Sequence, residues 1–160
     1  MEVFKEGQYC FSIDLITGQE GEEIVQEFYK KKKQLIISTC NNYKFDFIMQ
    51  GADRKPISVE VKTDSNKDKK TGEPSKNLAI EIESWGKFSG LTTTEADYFV
   101  TLFRLTGELW VIKSDSLRKL IKENDFYIHT GGDKGSNTRF HLINKSKFRN
   151  HFQIHTLYKV

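Results

Sequence analysis

Three residues pose the first chemical question: Asp46, Glu60 and Lys62. The stretch 44–62, KFDFIMQGADRKPISVEVK, alternates in hydropathy on both sides of a turn segment. Phe45, Phe47 and Met49 point one way and Lys44, Asp46 and Ile48 the other; further on, Ile57, Val59 and Val61 oppose Ser58, Glu60 and Lys62. Period-two alternation predicts a pair of strands. Between them GADRKP (51–56) has turn chemistry, and its Pro opens the second strand, where a missing N–H does least harm. A hairpin closing symmetrically about Asp53 sets Phe47 opposite Val59 and Phe45 opposite Val61 on an apolar face. On the polar face it sets Asp46 opposite Glu60 and Lys44 opposite Lys62.

Directly opposed side chains have Cβ atoms about 4.5–5.5 Å apart, and like charges there are destabilising. Two carboxylates roughly 4 Å apart repel by about 1 kcal/mol in water and by a few times that at an effective dielectric of about 20. A hard divalent cation relieves the repulsion, because Mg²⁺ is commonly held by one or two carboxylates while keeping waters and substrate phosphate oxygens. Lys62, one pleat along on the same face, stands where its ammonium can orient or deprotonate a water. The bland alternative is a solvated strand face with charges placed by chance. Glu-x-Lys is a common tripeptide, and a slip of one residue in register dissolves the pairing.

The chain must supply elements to hold this hairpin. Residues 11–34 read as a short lead-in, a turn at Gly18 and an amphipathic helix whose apolar stripe is Ile24, Val25, Phe28 and Tyr29. Glu20, Glu22, Glu23 and Glu27 crowd its first half and Lys30 to Lys33 its end, complementing the helix dipole. Glu22, three before Val25, or Glu20, four before Ile24, flanks the stripe and is a candidate third carboxylate. The lysine run is a candidate phosphate contact. QLIISTC (35–41) predicts a strand or extended link, and the polar run after Thr63 a mobile loop in which Lys67, Lys69, Lys70 and Lys76 can follow a nucleic-acid backbone.

NLAIEIES (77–84) alternates again, with Leu78, Ile80 and Ile82 inward and Glu81 and Glu83 opposite; Glu83 is an accessory carboxylate or simply exposed. SGLTTT (89–94) predicts a tight turn whose amides and hydroxyls, Ser89 and Thr93 among them, face an anion. The apolar stretches 97–104 and 108–113, joined at Thr106-Gly107, predict the centre of the sheet. A second helix spans 116–124, capped by Asp115 or Ser116. The remainder, 125–160, reads as a β-rich extension with a glycine-rich hairpin loop at 130–136 and a short helix at 146–152. His151 and His155 have a zinc-like spacing, but 153–160 reads as a strand and no third ligand accompanies them.

Composition excludes several classes. At 160 residues and 37 % hydrophobic content, one domain with a sizeable core is expected, its core about 18–124. A net charge of +3 permits nucleic acid without demanding it. Two cysteines, Cys10 and Cys40, argue against a disulfide scaffold or a Cys-based zinc site and suit a reducing cytoplasm. No apolar run approaches transmembrane length and the N-terminus lacks a signal-peptide core, so no membrane is expected.

The order of helix, hairpin and further strands, with Gly18-x-x-x-Glu22, Asp46 and Glu60-Val61-Lys62, resembles the PD-(D/E)xK nuclease superfamily. Small archaeal-type Holliday junction resolvases and phage nucleases look nearest, over roughly 18–113. The resemblance implies an α/β, restriction-endonuclease-like fold with a mixed central β-sheet flanked by helices. It implies Mg²⁺, with Mn²⁺ able to substitute, held by Asp46, Glu60, the Val61 carbonyl and Glu22 as an outer ligand, and Lys62 aiding the nucleophile. The expected activity is DNA phosphodiester hydrolysis, with junction or branched DNA as candidate substrates and a homodimer as a plausible assembly, the C₂ pair being the commonest. A catalytically silent nucleic-acid-binding module is the alternative, and an incidental acidic hairpin in a structural protein a third. Asp46 follows Phe45 where the family motif has Pro, and the loop after Lys62 is longer than a minimal resolvase needs; the second departure leaves the substrate open.

Overall fold

The alternating stretches pair in the expected register. Strand β2 (Phe47–Gln50) runs antiparallel to β3 (Pro56–Asp64), with Phe47 opposite Val59 and Met49 opposite Ile57. The structure, a computed structural model, describes residues 18–39 and 44–158. Cys10, Cys40 and the lead-in before Gly18 lie outside the described residues.

β3 is long enough to take a second neighbour, β6 (Tyr98–Phe103), which runs parallel to it with Glu60 beside Phe99 and Lys62 beside Thr101. β6 returns as the antiparallel β7 (Glu108–Lys113) through a turn whose Gly107 has φ +72°, a conformation that favours glycine. With β1 (Ile36–Thr39) beside β2 and β10 (Gln153–Thr156) beside β7, the sheet is six-stranded and mixed, in the order β1-β2-β3-β6-β7-β10.

The third alternating stretch does not join this sheet. β4 (Asn77–Ser84) lies in a separate four-stranded antiparallel sheet with β5 (Lys87–Phe88), β8 (Ile128–Gly131) and β9 (Thr138–Asn144), in the order β5-β4-β9-β8. Leu78, Ile80 and Ile143 of that sheet pack on Phe99, Phe103, Trp110 and Ile112 of the first. Ile82, expected inward, is half-buried because the register shifts between Glu81 and Glu83, a bulge that re-aims the strand end. On the opposite face of the mixed sheet, helix α1 (Gly18–Lys31) sets Ile24 and Val25 against Phe47, Met49, Val59, Val61, Val100 and Leu102. The fold is thus mixed α/β, with the central sheet covered by a helix on one side and by the smaller sheet with helix α2 (Ser114–Glu123) on the other.

Three local expectations are corrected. α2 begins at Ser114, so Asp115 lies in its first turn and bonds Arg118 at 3.0 Å rather than capping, while Lys113 precedes the helix with no side-chain cap bond. Residues 65–76 are not an open loop. The Asp68 carboxylate accepts from Lys70 and Thr71 N–H, its backbone N–H donates to Glu73, and Lys67 bridges to Pro74, so the excursion folds on itself. Residues 125–158 are strand-rich, but they are woven into both sheets through β8, β9 and β10, with the short α3 (Lys145–Phe148) between.

Candidate functional site

The polar face of the β2–β3 hairpin is built where its ladder stops. Asp46 N–H still donates to Val59 O (2.9 Å), but the next contact is made by a side chain: Asp46 Oδ2 accepts from Val61 N–H at 2.7 Å. The carboxylate takes the place a backbone carbonyl would have had, which pins it to the edge of β3 beside Glu60. Beyond it the chain leaves the strand. Lys44 does not face Lys62, and Phe45 lies outside β2, so it forms no ladder pair with Val61. Instead Lys44 Nζ pairs with Glu95 (3.4 Å), and its carbonyl accepts from Glu95 N–H and from Thr94 Oγ1.

Glu60 is buried, 6 % exposed, and both its carboxylate oxygens are engaged. Oε1 lies 2.8 Å from Lys62 Nζ, and Oε2 is 3.3 Å from Thr94 Oγ1. Thr94 is itself buried, and Arg118 of α2 holds its carbonyl at 2.8 Å and that of Leu91 at 3.3 Å. One threonine therefore ties the Lys44–Asp46 segment to Glu60. The third carboxylate comes from α1. A Cβ at Gly21 would overlap the Thr63 hydroxyl, so the helix sits closer to β3 than any side chain there would allow. Its neighbour Glu22 then reaches the hairpin, hydrogen-bonding the Asp46 carboxyl and sensing Glu60 and Lys62. A fourth carboxylate, Glu81 of β4 in the other sheet, acts on Lys62 through its charge.

Charge is unbalanced here. Burial, opposed by the Val61 N–H and reinforced by Glu60 and Glu22, pushes Asp46 from 3.8 to about 7. Glu22 is raised as well, first by burial and then by Glu60. Two carboxyl groups can share a hydrogen bond only if one carries the proton, and Asp46 is placed to carry it. Burial alone would depress Lys62, but Glu60, with Glu81 and Asp46, holds its pKa above the ordinary lysine value. Among the described residues, the Lys62 ammonium is bound to Glu60, at 2.8 Å.

Sequence reasoning thus named Glu22, Asp46, Glu60 and Lys62, which the fold brings together, with Val61 between Glu60 and Lys62 and its N–H spent on Asp46. Of the two helix candidates, Glu22 is the one that interacts with Asp46; Glu20 is exposed in the first turn. Lys67, Lys69 and Lys70 are exposed on the folded excursion that continues β3. Ser89 and Thr93 do not form an anion seat. The Thr92, Thr93, Thr94 and Glu95 amides are all spent on nearby carbonyls, the Ser89 hydroxyl is buried, and the Thr93 hydroxyl points to Gly90 O. Glu83 pairs with Arg139 at 3.2 Å, away from Lys62. His151 and His155 are no pair either; the His155 ring packs tilted against Phe28. Thr94 reads in the sequence only as part of the 89–94 turn and Glu81 only as an outward strand residue, and the role of Gly21 is not read at all. Gly21, beside Glu22 in GQEGEE, does leave a signal, an isolated glycine inside a helical pattern.

Among the described residues, no three His, Cys, Asp or Glu side chains are gathered closely enough to hold a metal ion as they stand. The oxygens nearest one another are each committed, to Val61 N–H, Lys62 Nζ and Thr94 Oγ1. The donor set nevertheless fits a hard cation, being all carboxylate oxygen and short of positive charge. No helix among the described residues is long and apolar enough to cross a membrane. Compared with protein-family models, curated proteins and solved structures, the chain finds no match in any of the three.

Proposed function

We propose that the chain is a metal-dependent DNA endonuclease of the PD-(D/E)xK, restriction-endonuclease-like type. The observation that carries the reading is Asp46. Its half-buried carboxyl, pushed to about 7, feels the charges of Glu22 and buried Glu60, opposed among the described residues by the Lys62 ammonium. A protein with no use for that arrangement has cheap escapes in Asn or Ser. A perturbed acid with a specific charge partner is a functional-site signature. Asp46, Glu60 and the Val61 carbonyl would hold Mg²⁺, or Mn²⁺ in its place, with Glu22 an outer ligand. When bound, the ion supplies positive charge to the phosphodiester oxygens and acidifies a water.

The protein's own residues do the rest. Lys62 is protonated in the metal-free site, so its first role is as a donor that orients a water or a phosphate oxygen. It becomes able to take a proton only when something else neutralises Glu60 and lowers its pKa. Thr94 and Arg118 hold Glu60 and the Asp46 segment at a fixed spacing, and the lysines of 65–76 offer a path for the phosphate backbone. Two copies acting together would cut both strands of a duplex or junction.

The test is a cleavage panel of linear duplex, four-way junction, flap and single strand, with Mg²⁺ or Mn²⁺ and with EDTA. Metal-dependent cutting of at least one DNA supports the reading. DNA binding with no cutting in either metal would instead support the catalytically silent module.

A further inference from the structure

The tip of the β4–β5 hairpin breaks two rules at once. Trp85 has φ +53° and is followed by Gly86 at φ +70°, a two-residue turn whose first position is ordinarily Asn, Asp or Gly. A bulky residue in that region is strained. The indole gains little burial in return, for it is 63 % exposed, and Phe88 three residues on is 73 % exposed. The tip is nonetheless braced. Trp85 N–H donates to Ser136 O at 2.7 Å, and Ser84, Thr138 and Ser136 are linked hydroxyl to hydroxyl at 2.8 Å each. The ring lies over Gly135, where even a Cβ would come within 3.5 Å of it. A strained, braced and solvent-facing tryptophan has the form of an aromatic anchor for a partner.

The surroundings specify the partner. Lys87, Lys134 and Arg139 flank the aromatics, against Glu83, which is paired with Arg139, and Asp133. Glu81, whose carboxylate acts on Lys62, lies on β4, four residues before Trp85. Aromatic faces with flanking cations, on the hairpin that carries Glu81, fit a nucleic-acid strand whose bases are unstacked.

We propose that Trp85 and Phe88 stack unpaired bases, so that the nuclease substrate carries a single-stranded segment at a fork, flap or opened junction. The proposal rests on the reading of Asp46, Glu60 and Lys62 as a nuclease centre, and its test separates the two. Trp85→Asn puts the residue the turn prefers in place of the indole, so the variant is expected to melt no lower than wild type. Binding of a labelled single strand, and of the duplex of the same sequence, is measured in EDTA, where nothing is cut. Trp85→Asn should weaken the single strand by about 5- to 100-fold and the duplex by no more than about twofold, with Trp85→Phe retaining most affinity and Phe88→Ala losing part of it. Single-stranded DNA should also quench the fluorescence of wild type, in which Trp110, the other tryptophan, is 1 % exposed.

Equal binding by wild type and Trp85→Asn, or an equal loss on both DNAs, overturns the proposal. So does a concentration-dependent self-association that Trp85→Asn abolishes, since the tip would then face a second copy. If wild type cuts DNA while these affinities are unmoved, stacking fails and the nuclease stands. If nothing is cut but single-strand binding falls selectively, the reverse holds.

Discussion

Replacing Asp46 with Asn should make the metal-free protein more stable while removing its response to metal. The amide reproduces both contacts of the protonated carboxyl: its oxygen accepts from Val61 N–H, now 2.7 Å from Oδ2, and its NH₂ donates to Glu22. What it removes is the charge. A folded-state pKa of about 7 against 3.8 means that the native protein binds the Asp46 proton more tightly than the unfolded chain. The favourable contribution is therefore complete below about pH 4 and lost progressively as pH rises through about 7. Roughly three units at 1.36 kcal/mol each is about 4 kcal/mol. Solvent screening at a half-buried carboxyl brings the expectation to about 2 kcal/mol.

Thermal melts in EDTA from about pH 4 to 8 measure it. The Asp46→Asn variant should match wild type at the acid end and melt about 4–8 °C higher at pH 8, at 2–4 °C per kcal/mol for a chain of this size. Mg²⁺ at pH 8 should raise the melting temperature of wild type by mass action and leave the variant where it was. A variant that is less stable than wild type at pH 8, with the metal shift intact, would make Asp46 a structural residue and sink the argument.

Other substitutions test the remaining parts. Lys62→Ala should cut Mg²⁺-dependent cleavage by about 10²–10⁴-fold with DNA affinity near wild type, and activity above about a tenth would count against it. Because it strands buried Glu60, its metal-free form should also melt lower than wild type. Thr94→Val should weaken the metal response by about 10–100-fold, as loss of a ligand's hydrogen-bond partner does, with Thr94→Ser restoring it; equal behaviour of Val and Ser would deny Thr94 a positioning role. Neutralising Lys67, Lys69 and Lys70 together should flatten the log–log salt dependence of duplex binding by about 0.9 per lost phosphate contact, and an unchanged slope would make the excursion a bystander.

The hairpin was legible because two alternations and one turn fix a register, and Phe47 opposite Val59 follows from them. The helix stripe was legible for the same reason, its Ile24 and Val25 being the residues that pack. Asp46's bond to Val61 was not, since alternation assumes that the ladder continues and here a carboxylate ends it. Nor was the second sheet: 77–84 carries the same pattern whether it joins β3 or stacks over it, and only the distant pairing with β9 decides. Thr94 meets Glu60 through a fold-back that has no local periodicity. Trp85 carried no signal, because left-handed backbone at a tryptophan is what sequence rules advise against.

The central claim concerns the carboxylates around Lys62, and parallel nicking of supercoiled plasmid by wild type and Glu60→Gln tests it most directly. Gln keeps the size of Glu60 and its contact to Thr94 but removes the charge that Lys62 and a cation share. The expected result is nicking by wild type in Mg²⁺, none in EDTA, and a loss of about 10²-fold or more in Glu60→Gln. Equal nicking by both proteins, or nicking by wild type that persists in EDTA, would contradict the claim.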